Sequence, residues 1–338
     1  MMSQYNTKRL VVVAIKVLIF LAVVVWVIWE LNKSWSKISE IEWQANYYWL
    51  VLSAVFYFLA YIPTSLFWRY SMISLGQRPG IYESIRAYYI GHLGKYVPGK
   101  AVVVILRSGL LDHSRTSASV AAAAVFLETL TMMSSGAILS ALIVLVWFRG
   151  MENGVWLMLL AVGMAVGAGL PIIPPVFRML TKRLVGLAKK FGVSQKEVDV
   201  EQKMLGLSFR TLAVGFGLTA VTWIFLGLSL WGAINGIGIE TEPLFSSGGA
   251  PLARFTLAAS FSVVLGFVLM MPGGIGVRDF VLAMVLTMYF EEYFLAKEMS
   301  NLDASTLATS YAIVVAGIQR AVSILVELFV AAAMFKKP

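Results

Sequence analysis

Apolar runs of about twenty residues recur along the chain at 10–29, 47–68, 117–148, 154–177, 209–237, 255–271 and 306–335. At 1.5 Å per residue, runs of this length match a hydrocarbon core of about 30 Å, so each predicts a membrane-spanning helix. Two apolar runs are shorter, 101–111 and 276–290. As a helix the second would cover about 22 Å, short of the full core. The first span follows Lys8 and Arg9 and exceeds the apolar region of a cleaved signal peptide. Glu30-Leu-Asn-Lys-Ser-Trp35 follows it in place of a small-residue cleavage site, so it reads as a retained signal anchor.

The basic residues orient these spans. With a cytoplasmic N-terminus and 276–290 counted as a crossing, 20 of the 27 Lys and Arg residues fall on cytoplasmic segments and five outside. The other two, Lys16 and Arg320, lie within spans. The outside segments are acidic instead, with Glu40, Glu42, Glu240, Glu242, Glu291, Glu292, Glu298 and Asp303. The expected fold class is therefore all-α: a polytopic helical membrane protein of about eight crossings, N-in and C-in. Trp26, Trp29, Trp35, Trp43, Tyr47, Tyr48 and Trp49 flank the first outside loop, where amphipathic rings suit the headgroup level.

The chain reads as one membrane domain, 1–338, with halves 10–177 and 209–335 joined by a basic segment, 178–208. Phe177, Leu180, Leu184, Leu187 and Phe191 recur there at helical spacing, opposite Lys182, Arg183, Lys189 and Lys190. Such a helix would lie on the inner leaflet against anionic headgroups and anchor the loop.

Composition then excludes several function classes. Hydrophobic residues make up 59% and charged ones 13%, against roughly 45–50% and about 25% in globular domains. A mean hydropathy of +0.81 could not be hidden in one soluble core. There is no cysteine, which rules out disulfides, thiolate chemistry and cysteine-ligated zinc. With only His92 and His113, a histidine-rich metal site is excluded, and no metal or cofactor is expected. The net charge of +9 lies largely on the inner-face segments, so it calls for no nucleic acid.

The most informative pattern is a pair of broken segments. Gly94-Lys-Tyr-Val-Pro-Gly-Lys100 precedes the run 101–111, and Met271-Pro-Gly-Gly-Ile-Gly-Val-Arg-Asp279 precedes 276–290. Proline lacks an N–H and glycine costs helix entropy, so neither place should hold a continuous helix. Irregular backbone at membrane depth survives only where protein or a wet cavity satisfies it. Short segments broken by Gly and Pro, one in each half, point to a transporter site. Pro98, Gly99, Pro272, Gly273, Gly274 and Gly276 would line it, with helix N-termini aimed at any anion there. The plainer reading is two tight turns at the membrane surface. No residue-level similarity identifies the halves as inverted repeats. Gly94 to Lys100 also fits G-x-x-x-x-G-K, but Ala101 stands where Ser or Thr would hold magnesium and no strand precedes it. It is not a P-loop.

Ionisable residues inside the spans come next. Glu128 is mid-span in 117–148, Arg320 mid-span in 306–335, and Glu327 lies seven residues further on roughly the same face. Arg107 follows the first break and Arg278 edges the second. Charges in hydrocarbon are expensive and are usually paired or functional. The structural alternative is a Glu128–Arg320 or Arg320–Glu327 pair that fixes helix register. Lys16 is expected to snorkel, His92 and His113 to be interfacial, and Gly163, Gly167, Gly227, Gly232 and Gly236 to permit close helix packing.

On these motifs the chain resembles the lysylphosphatidylglycerol-synthase transmembrane-region family of flippase-like proteins, which includes the membrane half of the multiple-peptide-resistance factors. The resemblance spans roughly 10–335. It rests on Gly91-x-x-Gly94-Lys-Tyr-Val-Pro-Gly-Lys100, Arg107, Glu128, Pro272-Gly-Gly-Ile-Gly-Val-Arg278-Asp279 and Arg320. Two departures stand out. The family commonly has Glu-Arg with a nearby Asp where this chain has Glu128-Thr-Leu-Thr131, and often Glu where it has Asp279. The first loses a basic group, which bears on headgroup preference; the second keeps its charge.

The resemblance implies re-entrant elements, a prokaryotic plasma membrane and movement of anionic or lipid-linked substrates between leaflets. Relatives that make aminoacylated lipid carry a transferase domain after the membrane part. This sequence ends at Lys336-Lys337-Pro338, so lysyl-lipid synthesis is not expected. The leading expectation is a flippase-like transporter for an anionic phospholipid or a polyprenyl-phosphate-linked intermediate, with Lys95, Lys100, Arg107, Glu128, Arg278, Asp279 and Arg320 at the substrate. Beyond membrane lipid, the partners to expect are a second copy of the chain or a separate lipid-modifying enzyme. The alternatives are an intramembrane glycosyltransferase or another lipid-modifying enzyme, for which no D-x-D or H-E-x-x-H is present, and an accessory membrane protein.

Overall fold

The computed structural model describes residues 45–96, 101–112, 115–147, 154–170, 208–269 and 276–335, with a few positions between 173 and 179. The expected span 10–29, most of the basic segment 178–208, His113, and the break residues 97–100 and 270–275 lie outside these. Every regular element described is helical. In chain order these are α1 (Tyr47–Ser74), α2 (Ile81–His92), α3 (Ala101–Gly109), α4 (Ala118–Trp147), α5 (Gly154–Gly169), α6 (Phe209–Asn235), α7 (Ala250–Val268), α8 (Val277–Leu295) and α9 (Asn301–Phe335). Single 3-10 turns lie at Leu93–Tyr96 and Ser246–Gly249, and residues 175–177 are helical too. Five helices among the described residues are long and apolar enough to cross a membrane: α1, α4, α6, α7 with the turn before it, and α9. The chain is a multi-pass helical membrane protein.

Helices α1 and α6 run antiparallel at the centre. Hydrocarbon gives apolar helices little reason to prefer each other over lipid, so small residues and buried hydroxyls hold such contacts. Ser53 Oγ donates to the Ser229 carbonyl at 2.7 Å, and the hydroxyls of Thr64 and Thr222 lie 3.1 Å apart. A Cβ on Gly232 would come within 3.0 Å of the Ser53 backbone. Trp223 of α6 donates to the Met132 carbonyl and the Ser135 hydroxyl of α4, over Gly136. Ser140 and Ser260 join α4 to α7 at 2.8 Å. The expected close approaches at Gly227, Gly232 and Gly236 are present, against Thr256, Ser53 and Leu50. Gly163 and Gly167 correct the expectation: both face open space.

Two helical hairpins pack against this centre. In the first, α2 and α3 return on each other, because a Cβ on Gly94 would lie 2.7 Å from Val103 N and one on Gly91 would collide with the Arg107 side chain. At about 18 Å and 14 Å, neither helix reaches across a core of about 30 Å. In the second, α7 and α8 pass closely enough that a Cβ on Gly266 would sit 3.2 Å from Arg278 Cβ.

Helix boundaries shift where local chemistry or packing overrides the apolar run. Helix α5 stops at Gly169, short of the expected 177, because Pro171 disfavours helical geometry in the residue before it. Helix α8 runs past the expected 290 through Glu291 and Glu292 to Leu295. Buried Phe290 and Phe294 anchor that extension against Tyr311 of α9, and Glu292 pairs with Arg254 at 2.9 Å. On α9, Ala304, Ala308, Ala312 and Ala316 form a small-residue stripe at spacing four, buried in one cluster with Leu282, Leu286 and Phe290 of α8. The last carbonyls of α9 are capped by Arg86 of α2, whose Nε donates to Met334 O at 2.8 Å and Nη2 to Phe335 O at 3.3 Å.

Candidate functional site

The tips of the two hairpins meet beside the middle of α1. The turn at the first tip places Lys95 and Tyr96, and α8 begins at the second tip with Arg278 and Asp279 two and three residues after Gly276. Gly276 has φ +82°, a backbone that side-chain-bearing residues rarely adopt, and its N–H donates to Asp279 Oδ2 at 3.3 Å. That bond closes the first turn of α8.

Glu327 of α9 gathers both tips. Lys95 Nζ donates to its Oε1 at 2.5 Å and the Tyr96 hydroxyl to Oε2 at 2.9 Å. The Tyr57 hydroxyl of α1 donates to Oε1 as well. His92 Nε2 stands 3.6 Å from Oε1 and 3.0 Å from Lys95 Nζ. Against the Lys95 ammonium, which can only donate, Nε2 serves as acceptor. The imidazole also packs on Tyr61, with ring centres 4.4 Å apart.

Asp279 holds Arg320 of α9 by both arms, with Nε to Oδ1 at 3.0 Å and Nη2 to Oδ2 at 2.8 Å. One residue earlier and about 100° round the helix, Arg278 makes no hydrogen bond among the described residues, and its buried Nε lacks a partner. It nevertheless lies within electrostatic range of Glu327, Asp279, Tyr57 and Tyr61, and Lys95 within range of both Arg278 and Arg320. Three cations thus surround two carboxylates: Lys95, Arg278 and Arg320 with Glu327 and Asp279. One positive charge is left over among the described residues.

A second buried pair sits behind the first hairpin. Arg107 Nη1 meets Glu128 Oε2 at 2.8 Å, with the residues 3% and 1% exposed. The Tyr88 hydroxyl donates to Oε1 at 2.9 Å, and the guanidinium lies 3.7 Å from the centre of the Tyr88 ring. Tyr88 in turn stacks with His92, which links this pair to the Glu327 cluster. Gly91 gives Arg107 its room.

The structure therefore brings together Lys95, Arg278, Asp279 and Arg320, with Gly276 at their edge, and holds Arg107 and Glu128 one layer back. Lys100, Pro98, Gly99, Pro272, Gly273 and Gly274 lie outside the described residues. The ion-pair expectations need correction. Glu128 pairs with Arg107, Arg320 with Asp279 and Glu327 with Lys95. Residues seven apart on a helix share a face but stand about 10 Å apart, so Arg320 and Glu327 each take a nearer partner from a hairpin tip. His92 is also not merely interfacial, because it is part of the cluster.

Sequence reasoning treated Glu327 only as a partner for Arg320, although a carboxylate inside an apolar span was signal enough to make it a site residue. Tyr96 stood within the quoted first motif. Nothing in the sequence singled out Tyr57, Tyr61 or Tyr88, which look like ordinary span aromatics.

No curated protein and no solved structure shows significant similarity to the chain. A family model described as the lysylphosphatidylglycerol synthase TM region matches residues 13–330. With nearly its whole length matched in this way, and with both broken motifs converging on one charged cluster, this chain belongs to the lysylphosphatidylglycerol synthase transmembrane-region family.

Proposed function

We propose that this protein moves an anionic phospholipid or a polyprenyl-phosphate-linked lipid between leaflets, in the plasma membrane of a prokaryotic cell. Membership of a lipid-related membrane family gives the general setting. The observation that carries the reading is Arg278: a guanidinium with no hydrogen bond among the described residues, where the two hairpins approach each other, in a cluster whose described side chains carry one surplus positive charge. A partly buried surplus cation favours an anion, and a guanidinium offers phosphate two parallel donors.

In this reading the α2/α3 hairpin is a re-entrant element that enters from the cytoplasmic side and turns back at mid-depth. His92 is eleven residues along α2, about 16 Å from its start. The end of the bundle that holds the α9 C-terminus and the start of α2 is then cytoplasmic, as the distribution of basic residues favours. The lipid phosphate would rest against Arg278, with Lys95 and Arg320 beside it. Glu327 and Asp279 hold those two cations in place between cycles. Arg107 and Glu128 would fix the rear of the first hairpin and so set the height of Lys95. Acyl or polyprenyl chains would stay in lipid while the headgroup passes the tips.

Lipid translocation in proteoliposomes tests this. Headgroup-labelled phosphatidylglycerol and a polyprenyl-phosphate analogue are each exposed to a membrane-impermeant quencher. The wild type is expected to remove inner-leaflet protection, and Arg278→Ala, inserted and monodisperse, to restore it. Full protection of every lipid with and without a pH gradient, or normal transport by Arg278→Ala, overturns the proposal.

A further inference from the structure

The charge count at the hairpin tips bears on which anion the site accepts, an inference that rests on the transport reading above. Lys95, Arg278 and Arg320 face Glu327 and Asp279. Asp279 is committed to helix capping and to both arms of Arg320. Glu327 is held differently. Four side chains from three elements surround it, namely Tyr57 of α1, His92 of α2, and Lys95 and Tyr96 of the tip turn. It sits 4% exposed on a helix that continues past it. Among the described residues the carboxylate reduces the charge of the cluster from two to one without forming a bond to Arg278. A headgroup that brings one negative charge neutralises the cluster. A headgroup that brings two leaves an excess negative charge in a partly buried cluster, where an uncompensated charge is costly.

We propose that Glu327 is a specificity-determining residue that limits the site to lipids with a singly charged phosphodiester headgroup and disfavours phosphomonoesters and diphosphates. The shared chemistry has two sources, a glycerophospholipid and a polyprenyl-phosphoryl sugar, and the site reads the phosphate in either. Tyr57 and Tyr96 donate to the same carboxylate and hold it at a fixed place. A glutamine there removes the charge, keeps a carbonyl acceptor for one of these hydroxyls and turns an amide N–H towards the other, whose oxygen can accept it.

The experiment measures translocation of four labelled lipids at pH 7, where a phosphomonoester with a second pKa of about 6 is already mostly doubly charged. They are phosphatidylglycerol, a polyprenyl-phosphoryl monosaccharide, phosphatidate and polyprenyl diphosphate. The wild type is expected to favour the first two over the last two. Glu327→Gln should shift that ratio towards the two more highly charged lipids by about tenfold, the order of effect one unit charge exerts across several Å of protein. The double variant Lys95→Gln/Glu327→Gln restores a surplus of one and should return the ratio to that of the wild type. A merely structural role for Glu327 would lower the rates of all four lipids together and leave their ratio unchanged. Asp279→Asn raises the same count from the other hairpin and carries the comparison should Glu327→Gln not fold.

An unchanged ratio in Glu327→Gln, or a shift that the double variant fails to reverse, overturns the inference. Transport by wild type of all four lipids at one rate overturns it while leaving the transport reading intact. Transport of none overturns both.

Discussion

Glu128→Ala is the perturbation whose size the structure sets most directly. It removes the ion-pair partner of an arginine that is 3% exposed and the acceptor of the Tyr88 hydroxyl. Breaking a buried pair by deleting one member costs about 3–5 kcal/mol, and a stranded buried donor adds about 1–3 kcal/mol. The two are not additive, since Arg107 keeps its position over the Tyr88 ring at 3.7 Å. A loss of about 4–6 kcal/mol follows, or at about 2 °C per kcal/mol for a chain of this size a fall in Tm of about 8–12 °C. The assay is fluorescence-monitored melting of the purified protein in detergent.

Two comparisons separate this mechanism from a general effect of mutation. Arg107→Met/Glu128→Leu removes both charges and should recover most of the loss, melting about 2–6 °C below the wild type, because apolar replacement of a buried pair is close to neutral and only the Tyr88 hydroxyl stays stranded. Glu292→Ala breaks the Arg254–Glu292 pair, whose carboxylate side chain is 64% exposed, and should shift Tm by no more than about 2 °C. The reasoning is refuted if Glu128→Ala melts within about 2 °C of the wild type. It is equally refuted if the double variant is less stable than Glu128→Ala alone.

Two further outcomes follow from packing. Gly94→Ala would drive a Cβ to 2.7 Å from the Val103 backbone nitrogen, splaying the first hairpin at a cost of about 1–3 kcal/mol; Gly163→Ala meets open space and should stabilise α5 by up to about 1 kcal/mol, so the two substitutions should move Tm in opposite directions. Arg86→Gln removes the donors to Met334 O and Phe335 O, and hydrogen exchange should accelerate in the last turn of α9 while the amides around Ala308 and Ala312 stay protected.

The sequence alone determined the class of protein, because the hydrophobic term is a property of each segment. A run such as 209–237 is too apolar to stay in water and long enough to span, whatever its neighbours do, and α6 occupies 209–235. It also indicated where a helix would begin afresh after glycine, and α8 starts at Val277, directly after Gly276. The charged residues most worth inspecting were legible for the same reason, since an ion in an apolar run needs an explanation wherever it points.

Tertiary structure decided which charges meet. Glu327 is bound by Lys95, 232 positions away in the chain, and Asp279 by Arg320, 41 away. Coulomb energy and hydrogen-bond geometry act over a few Å, so pairing depends on where hairpin tips land rather than on where residues stand in order. The same holds for α8, which Phe290 and Phe294 carry past two glutamates by packing on Tyr311. It holds for Tyr57 and Tyr88 too, whose hydroxyls matter only because a carboxylate from another helix comes within reach. The segments were written in the sequence; the site exists only where the two hairpins and α9 converge, because no single segment carries both the cations and the carboxylates that hold them.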